Sequence, residues 1–283
     1  MSISANTVKE LRDKTNAGMM DCKKALIDAA GSMEGAVEIL RKRGLALAQK
    51  KAGRSANEGS LGYFFDEKGK KAGLVEVNCE TDFVVKTKDF QDFVSHVTQL
   101  VQEKSFKDLA ELSVARYDMK STVAEALTAL IAKVGENIQI KQFVRWEAQS
   151  PNEIFGFYIH AGSKIGTLVS INDSEKKLTV ANAKEVAMHV AAMHPQYVKP
   201  EEVPPVVVEK EKEILRATVD QGKPAKIQNQ IIEGKLKKFY SETCLEEQIF
   251  VKDPEGKRSV KNWLKTISPT ARIEKFVRIQ VGT

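Results

Sequence analysis

The residues best placed to act on another molecule are Glu80-Thr81-Asp82-Phe83-Val84-Val85-Lys86, where a carboxylate and a phenylalanine stand side by side as a strand-like run ends. Such a pair is ill suited to a core and well suited to being pushed into a partner. Two plainer readings stay open. Thr81 or Asp82 here is also an ordinary helix N-cap, since either side-chain oxygen accepts a bond from a free amide of the first turn. Phe83 can equally be a core residue, because burying an aromatic side chain stabilises by roughly 1.5–3 kcal/mol.

Elsewhere the chain offers little for catalysis. There is no Gly-x4-Gly-Lys-Ser/Thr loop and no Gly-x-Gly-x-x-Gly after a strand, so nucleotide binding by the chain itself is not expected. His189 and His194 stand five apart on an expected helix, whereas two imidazoles share a zinc-binding face at i, i+4; no metal site is expected. Cys22, Cys79 and Cys244 are too few and too scattered for a disulfide scaffold or a zinc ribbon, and they read as reduced core thiols. No nucleophile is supported and no cofactor is implied, which makes an enzyme the minority reading.

Arg41, Lys42, Arg43, Lys50, Lys51 and Arg54 crowd one short stretch without an acidic neighbour in the sequence. This is the best argument for an RNA- or ribosome-binding module. Against it, the stretch has no interleaved aromatics to stack bases and no RNA-binding signature. A solvated basic helix end followed by a linker fits it better, and no specific nucleic acid is expected.

The elements that must hold the acidic and aromatic pair can be read from periodicity. Gly73–Cys79 alternates Val75, Val77 and Cys79 with polar residues, the pattern of a half-buried strand. Phe90, Phe93, Val94, Val97, Leu100 and Val101 recur at helical spacing, predicting a helix over 89–103 and placing Thr81-Asp82-Phe83 at a strand-to-helix turn. A strand over 60–65 and a turn at Asp66-Glu67-Lys68-Gly69 precede them. A helix over 121–134 and a strand through Ile138, Ile140, Phe143 and Val144 follow.

The same grammar then returns. A strand over 153–160, a turn at 161–164, a strand over 165–171 and a helix over 183–193 repeat it, with Gly62-Tyr63-Phe64 matching Gly156-Phe157-Tyr158 at an offset of about 94 residues. That spacing suggests a duplicated α+β unit.

Residues 5–44 read as three short helices, with a capping box at Thr7–Glu10, a break at Gly18 and a stop and restart at Gly31-Ser32. Val8, Leu11, Met19, Cys22, Leu26, Met33, Val37 and Leu40 are expected to meet in one small core. Residues 44–59 read as a partly helical linker. Pro204-Pro205 and Pro224 start two further helices, separated at Gly222, that make a projecting antiparallel hairpin. The expected return to β structure falls at 248–252 and 273–281.

At 283 residues, 42% hydrophobic and 29% charged, the chain can bury more than one core and should form two or more domains. The expected division is 1–55, a helical module with its linker; 56–145, a first core subdomain; 146–189 with 241–283, a second; and 190–240, the inserted hairpin. No run of 18 apolar residues and no signal peptide is present, so a soluble, cytoplasmic protein without membrane attachment is expected.

Thr15-Asn16-Ala17-Gly18-Met19-Met20-Asp21-Cys22-Lys23-Lys24-Ala25-Leu26 and Glu76-Val77-Asn78-Cys79-Glu80-Thr81-Asp82-Phe83-Val84 closely resemble the two signature stretches of the translation elongation factor Ts family. Residues 132–138, 160–166 and 187–192 agree further, in the family's order. The resemblance implies a guanine-nucleotide exchange factor for elongation factor Tu, with no catalytic site of its own. It implies an α+β fold in which a ubiquitin-associated-like three-helix module precedes duplicated subdomains with antiparallel sheets, and a helical hairpin that can mediate a homodimer. By the same analogy Phe83 wedges between helices of the GTPase, and Asp82 helps displace the elements that hold magnesium and the β-phosphate. Thr81, Val84, Lys23, Val134, Gly135, His160 and Val251 map to further contact positions. A C-terminal helix found in many members is not expected here, because the sequence stops at Thr283.

Overall fold

A computed structural model describes residues 3–15, 17–219 and 224–283. It is mixed helix and sheet, an α+β fold. Three helices open it: α1 (Ala5–Thr15), α2 (Met19–Asp28) and α3 (Met33–Lys51). Val8, Leu11, Cys22, Ala25, Leu26 and Ala36 form their common core. Met19 and Val37, expected in that core, are instead exposed. The cap of α1 also differs from expectation, since the Ser4 hydroxyl, not the Thr7 side chain, accepts a first-turn amide, that of Thr7. Gly31 has φ +89 and Ser32 accepts from Gly35 N, so the second stop-and-restart forms as read. Asn16 and Gly222 lie outside the described residues.

The expected linker is helical over its first half, to Lys51, in agreement with the partly helical reading. α3 runs on to Lys51, and near Gly44 it packs on the helix bearing Thr128 and Ala132: a Cβ on Gly44 would stand in ordinary contact, 3.5 Å from Ala132 and 3.6 Å from Thr128. The basic stretch meets acidic groups, one a helical turn away and three distant in the sequence. Arg41 pairs with Glu125, Arg43 with Asp28, Lys42 with Glu38 and Arg54 with Glu80.

The first sheet is antiparallel, in the order β1 (Glu58–Phe65), β2 (Lys71–Cys79) and β3 (Ile138–Glu147). Between β2 and β3 come α4 (Asp82–Val85), α5 (Lys88–Glu103), α6 (Leu109–Val114) and α7 (Val123–Val134). Contrary to its half-buried pattern, β2 is buried on both faces, with Glu76 and Asn78 as inaccessible as its valines. Glu76 accepts from Gln142 Nε2 at 2.8 Å and Asn78 Nδ2 donates to Ala56 O at 3.2 Å, whereas the buried Asn78 Oδ1 has no hydrogen-bond partner.

The second sheet repeats the first: β4 (Glu153–Ile159), β5 (Ile165–Asn172) and, after a long insertion, β6 (Arg272–Gln280), with α8 (Val180–Met193) across one face. Each sheet carries a register irregularity at the corresponding place, between Glu76 and Val77 and between Ser170 and Ile171. Leu61, Ala72, Leu74, Phe155, Leu168, Ile279 and Val281 form a core shared by the two sheets.

The insertion contains α9 (Pro205–Ala217) and α10 (Ala225–Thr243), which touch each other and bury no residue of either helix. Residues 248–252, expected as strand, are irregular, with a single bridge from Ile249 to Ser259, and the unpredicted helix α11 (Val260–Ile267) follows. Among the described residues no helix is long and apolar enough to cross a membrane.

Candidate functional site

Chain direction changes abruptly where β2 ends. Thr81, extended at φ −130 and ψ 154, is the N-cap residue of α4, but its side chain makes no capping bond. Its hydroxyl donates instead to Glu136 Oε1 at 2.7 Å, and its amide to Glu136 Oε2 at 3.0 Å. α4 is one turn long, and Thr87 then caps α5 by accepting from Phe90 N.

This single turn sorts its side chains. Val84 points into the first core beside Phe90 and Cys79, whereas Phe83 is 75% exposed, so the core reading of Phe83 fails. Lys86 Nζ lies 2.6 Å from Asp82 Oδ2 and 5.7 Å from the centre of the Phe83 ring. Bonding to Lys86 is the main reason the Asp82 carboxyl is held below the usual range; Lys164 adds its charge. A carboxylate, a projecting ring and the lysine that pairs with the one and lies over the other thus share one exposed patch.

Val134 and Gly135 belong to the same neighbourhood. α7 ends in Gly135 with φ +78, whose amide closes on Ile131 O at 2.8 Å. Val134 packs against the first core. Open space surrounds the Cβ position of Gly135. Directly after it, Glu136 and Asn137 reach across to Thr81 and Glu80. Bonding from the Asn137 amide is the main cause of a lowered Glu80 carboxyl, with Arg54 assisting. Burial and then the Glu136 charge push the Cys79 thiol up to about 12, so it stays protonated and donates to Thr81 O.

The remaining expected residues are not gathered here. Lys23 is exposed on α2 with no ion pair among the described residues. His160 is exposed at the end of β4, its Nδ1 3.0 Å from the Tyr158 hydroxyl. Its own turn leads to Lys164, which pairs with Glu58 at the start of β1. Val251 is half exposed, and its amide donates to Nδ1 of the buried His189 at 3.1 Å. The other His189 nitrogen therefore carries the proton and donates to Gln248 Oε1 at 3.0 Å. Burial lowers the His189 pKa, partly offset by Gln248.

Glu136 and Asn137 are site residues that sequence reasoning missed. Their only sequence signal is a carboxylate and an amide placed immediately after a helix-ending glycine. Among the described residues no three His, Cys, Asp or Glu side chains converge on a common metal position.

Residues 80–283 match the family model described as Elongation factor TS. The chain is 46% identical over 289 aligned positions to the elongation factor Ts of Nautilia profundicola, covering 99% of this chain and 93% of that protein. It is 41% identical to that of Clostridium botulinum (strain Eklund 17B) and 42% identical to that of Clostridium kluyveri, each over 286 positions, with the same 99% and 93% covered.

Proposed function

The chain belongs to the elongation factor Ts family, and we propose that it promotes GDP release from elongation factor Tu by inserting the Asp82–Phe83 turn into the GTPase. Membership carries nucleotide exchange on elongation factor Tu in translation; the residues and the displacement step are our reading. The observation that supports it is Phe83, a large aromatic left 75% exposed on a turn whose other apolar residues are tucked in.

The chemistry follows from how a GTPase holds its nucleotide. Magnesium and a phosphate-binding loop neutralise the phosphates, so moving either weakens binding. An inserted ring forces helices apart, and Asp82 brings negative charge to a site organised around anions. The factor must bind the nucleotide-free state more tightly than the nucleotide-bound one, because equal affinity for both shifts nothing. No catalytic group of the chain takes part. Lys23, Val134, Gly135, His160 and Val251 extend the contact over the helical module and both sheets. The same reading assigns residues 190–240 to self-association and the protein to the cytoplasm.

The test is release of a fluorescent GDP analogue from elongation factor Tu of the same source, with excess GDP and catalytic amounts of this protein. Acceleration that disappears in Phe83→Ala and falls in Asp82→Ala is expected. A folded protein that leaves release unaccelerated removes the proposal.

A further inference from the structure

The turn carrying Phe83 is one helical turn long, and such a turn does not hold its shape unaided because nucleation is unfavourable. Two carboxylates that cross between neighbouring loops hold it from behind. Glu136 takes the amide and hydroxyl of Thr81 on its two oxygens. Glu80 returns the bond, accepting the Asn137 amide at 2.7 Å. Each loop lends a charged acceptor to the backbone of the other, and such bonds are among the stronger ones.

The lattice extends one step further. The Asn137 side chain is buried, and its Nδ2 donates to Arg54 O at 2.7 Å, just past the end of α3. The Arg54 guanidinium reaches back to Glu80 at 3.4 Å. With Cys79 Sγ donating to its carbonyl at 3.2 Å, Thr81 has amide, hydroxyl and carbonyl all engaged. The residue before Asp82 is thereby fixed at every polar atom, while the Asp82 carboxylate and the Phe83 ring both lie against the Lys86 ammonium.

We infer that Glu136, acting with Glu80, is a positioning residue that sets the direction in which Asp82 and Phe83 leave the body of the protein. Gly135 serves the same end, since its left-handed conformation turns the chain so that the next residue faces Thr81. The consequence for GDP release rests on the exchange reading given above; the clamp itself does not.

The experiment compares full-length Glu136→Ala, Glu136→Gln and Phe83→Ala with the parent protein by three measurements. The first, made on the parent and the two Glu136 variants, is the rate at which limiting chymotrypsin cuts after Phe83 under native conditions, which reports local opening of the turn without any partner. The others are the melting temperature and the concentration that half-maximally accelerates GDP release. Glu136→Ala is expected to be cut about tenfold faster and to need about tenfold more protein, with melting changed by only a few degrees. Glu136→Gln keeps one carbonyl acceptor for Thr81 and should fall between. Unchanged cutting overturns the clamp. Faster cutting with unchanged GDP release overturns the positioning role, and a fall in melting temperature large enough to explain the cutting reduces Glu136 to a structural staple. If Phe83→Ala leaves GDP release untouched, the exchange reading of this turn fails, and cutting of Glu136→Ala after Phe83 still decides whether the clamp exists.

Discussion

Phe83 and Val84 are consecutive in the chain and opposite in burial, 75% and 6% exposed. A helical turn rotates successive side chains by about 100°, so one turn can anchor itself with one residue and present the next. Val84→Ala should therefore lower stability by roughly 2 kcal/mol, through lost burial and a small cavity. Phe83→Ala should stay within about 0.5 kcal/mol. Urea unfolding of both variants measures this, and a large loss for Phe83→Ala would mean that the ring is packed in solution.

Gly62 and Gly156 occupy matching places in the two halves, each where a helix crosses its sheet without room for a side chain. A Cβ on Gly62 would lie 1.9 Å from Thr98 Oγ1, and one on Gly156 2.0 Å from the Ala183 carbonyl oxygen. The obstacle is a side chain in the first case and backbone in the second. Gly156→Ala should thus cost more than Gly62→Ala, by roughly 1–3 kcal/mol, with both variants less stable than the parent. Thermal unfolding ranks them, and the reverse order would contradict the packing of α8 on β4.

Asp173 joins the end of β5 to the approach to β6. Burial alone would raise its carboxyl, but bonds from the Ser268 and Thr270 hydroxyls and from the Leu178 and Lys177 amides outweigh it and bring the pKa to about 2. An unfolded aspartate titrates near 3.9, so this contribution, roughly 2 kcal/mol, is whole above pH ~4 and disappears as the pH falls through about 2. Asp173→Asn should be less stable at neutral pH and show a smaller loss between pH ~4 and ~2 than the parent. Chemical denaturation across that range tests it; parallel profiles would refute the assignment.

The arginines of the basic stretch are already engaged with Glu125, Asp28 and Glu80. Exposed pairs of this kind contribute only about 0–1 kcal/mol, so replacing Arg41, Lys42 and Arg43 by alanine should scarcely alter melting. Anisotropy titration of a single-stranded RNA should show only weak, salt-sensitive binding at ~0.15 M ionic strength. Tight binding that the triple replacement abolishes would restore the nucleic-acid reading.

Much of this architecture was legible. Period-2 runs and the helical spacing from Phe90 to Val101 located β1, β2 and α5, and the glycine-aromatic match at 62 and 156 exposed the duplication. What escaped depends on tertiary neighbours. β2 reads as half-buried because nothing local announces the second sheet stacked against it. Residues 248–252 are apolar enough for a strand yet find no ladder partner beyond one bridge. Glu136 was invisible for a third reason: its bonds close on Thr81, 55 positions earlier, and no spacing rule reaches so far.

The core between the sheets changes what the duplication means. Leu61 and Leu74 of one half lie within 2.9 Å of where a Cβ on Gly166 of the other would sit, and Phe65 stacks on Phe157 with ring centres 5.3 Å apart. Each half is the other's lid. A ribosome that has released only the first half has made a sheet with one apolar face still wet, so the nascent chain depends on its own later sequence to become soluble. Two copies of one pattern have become a single body with a shared core, neither half of which has a complete interior of its own.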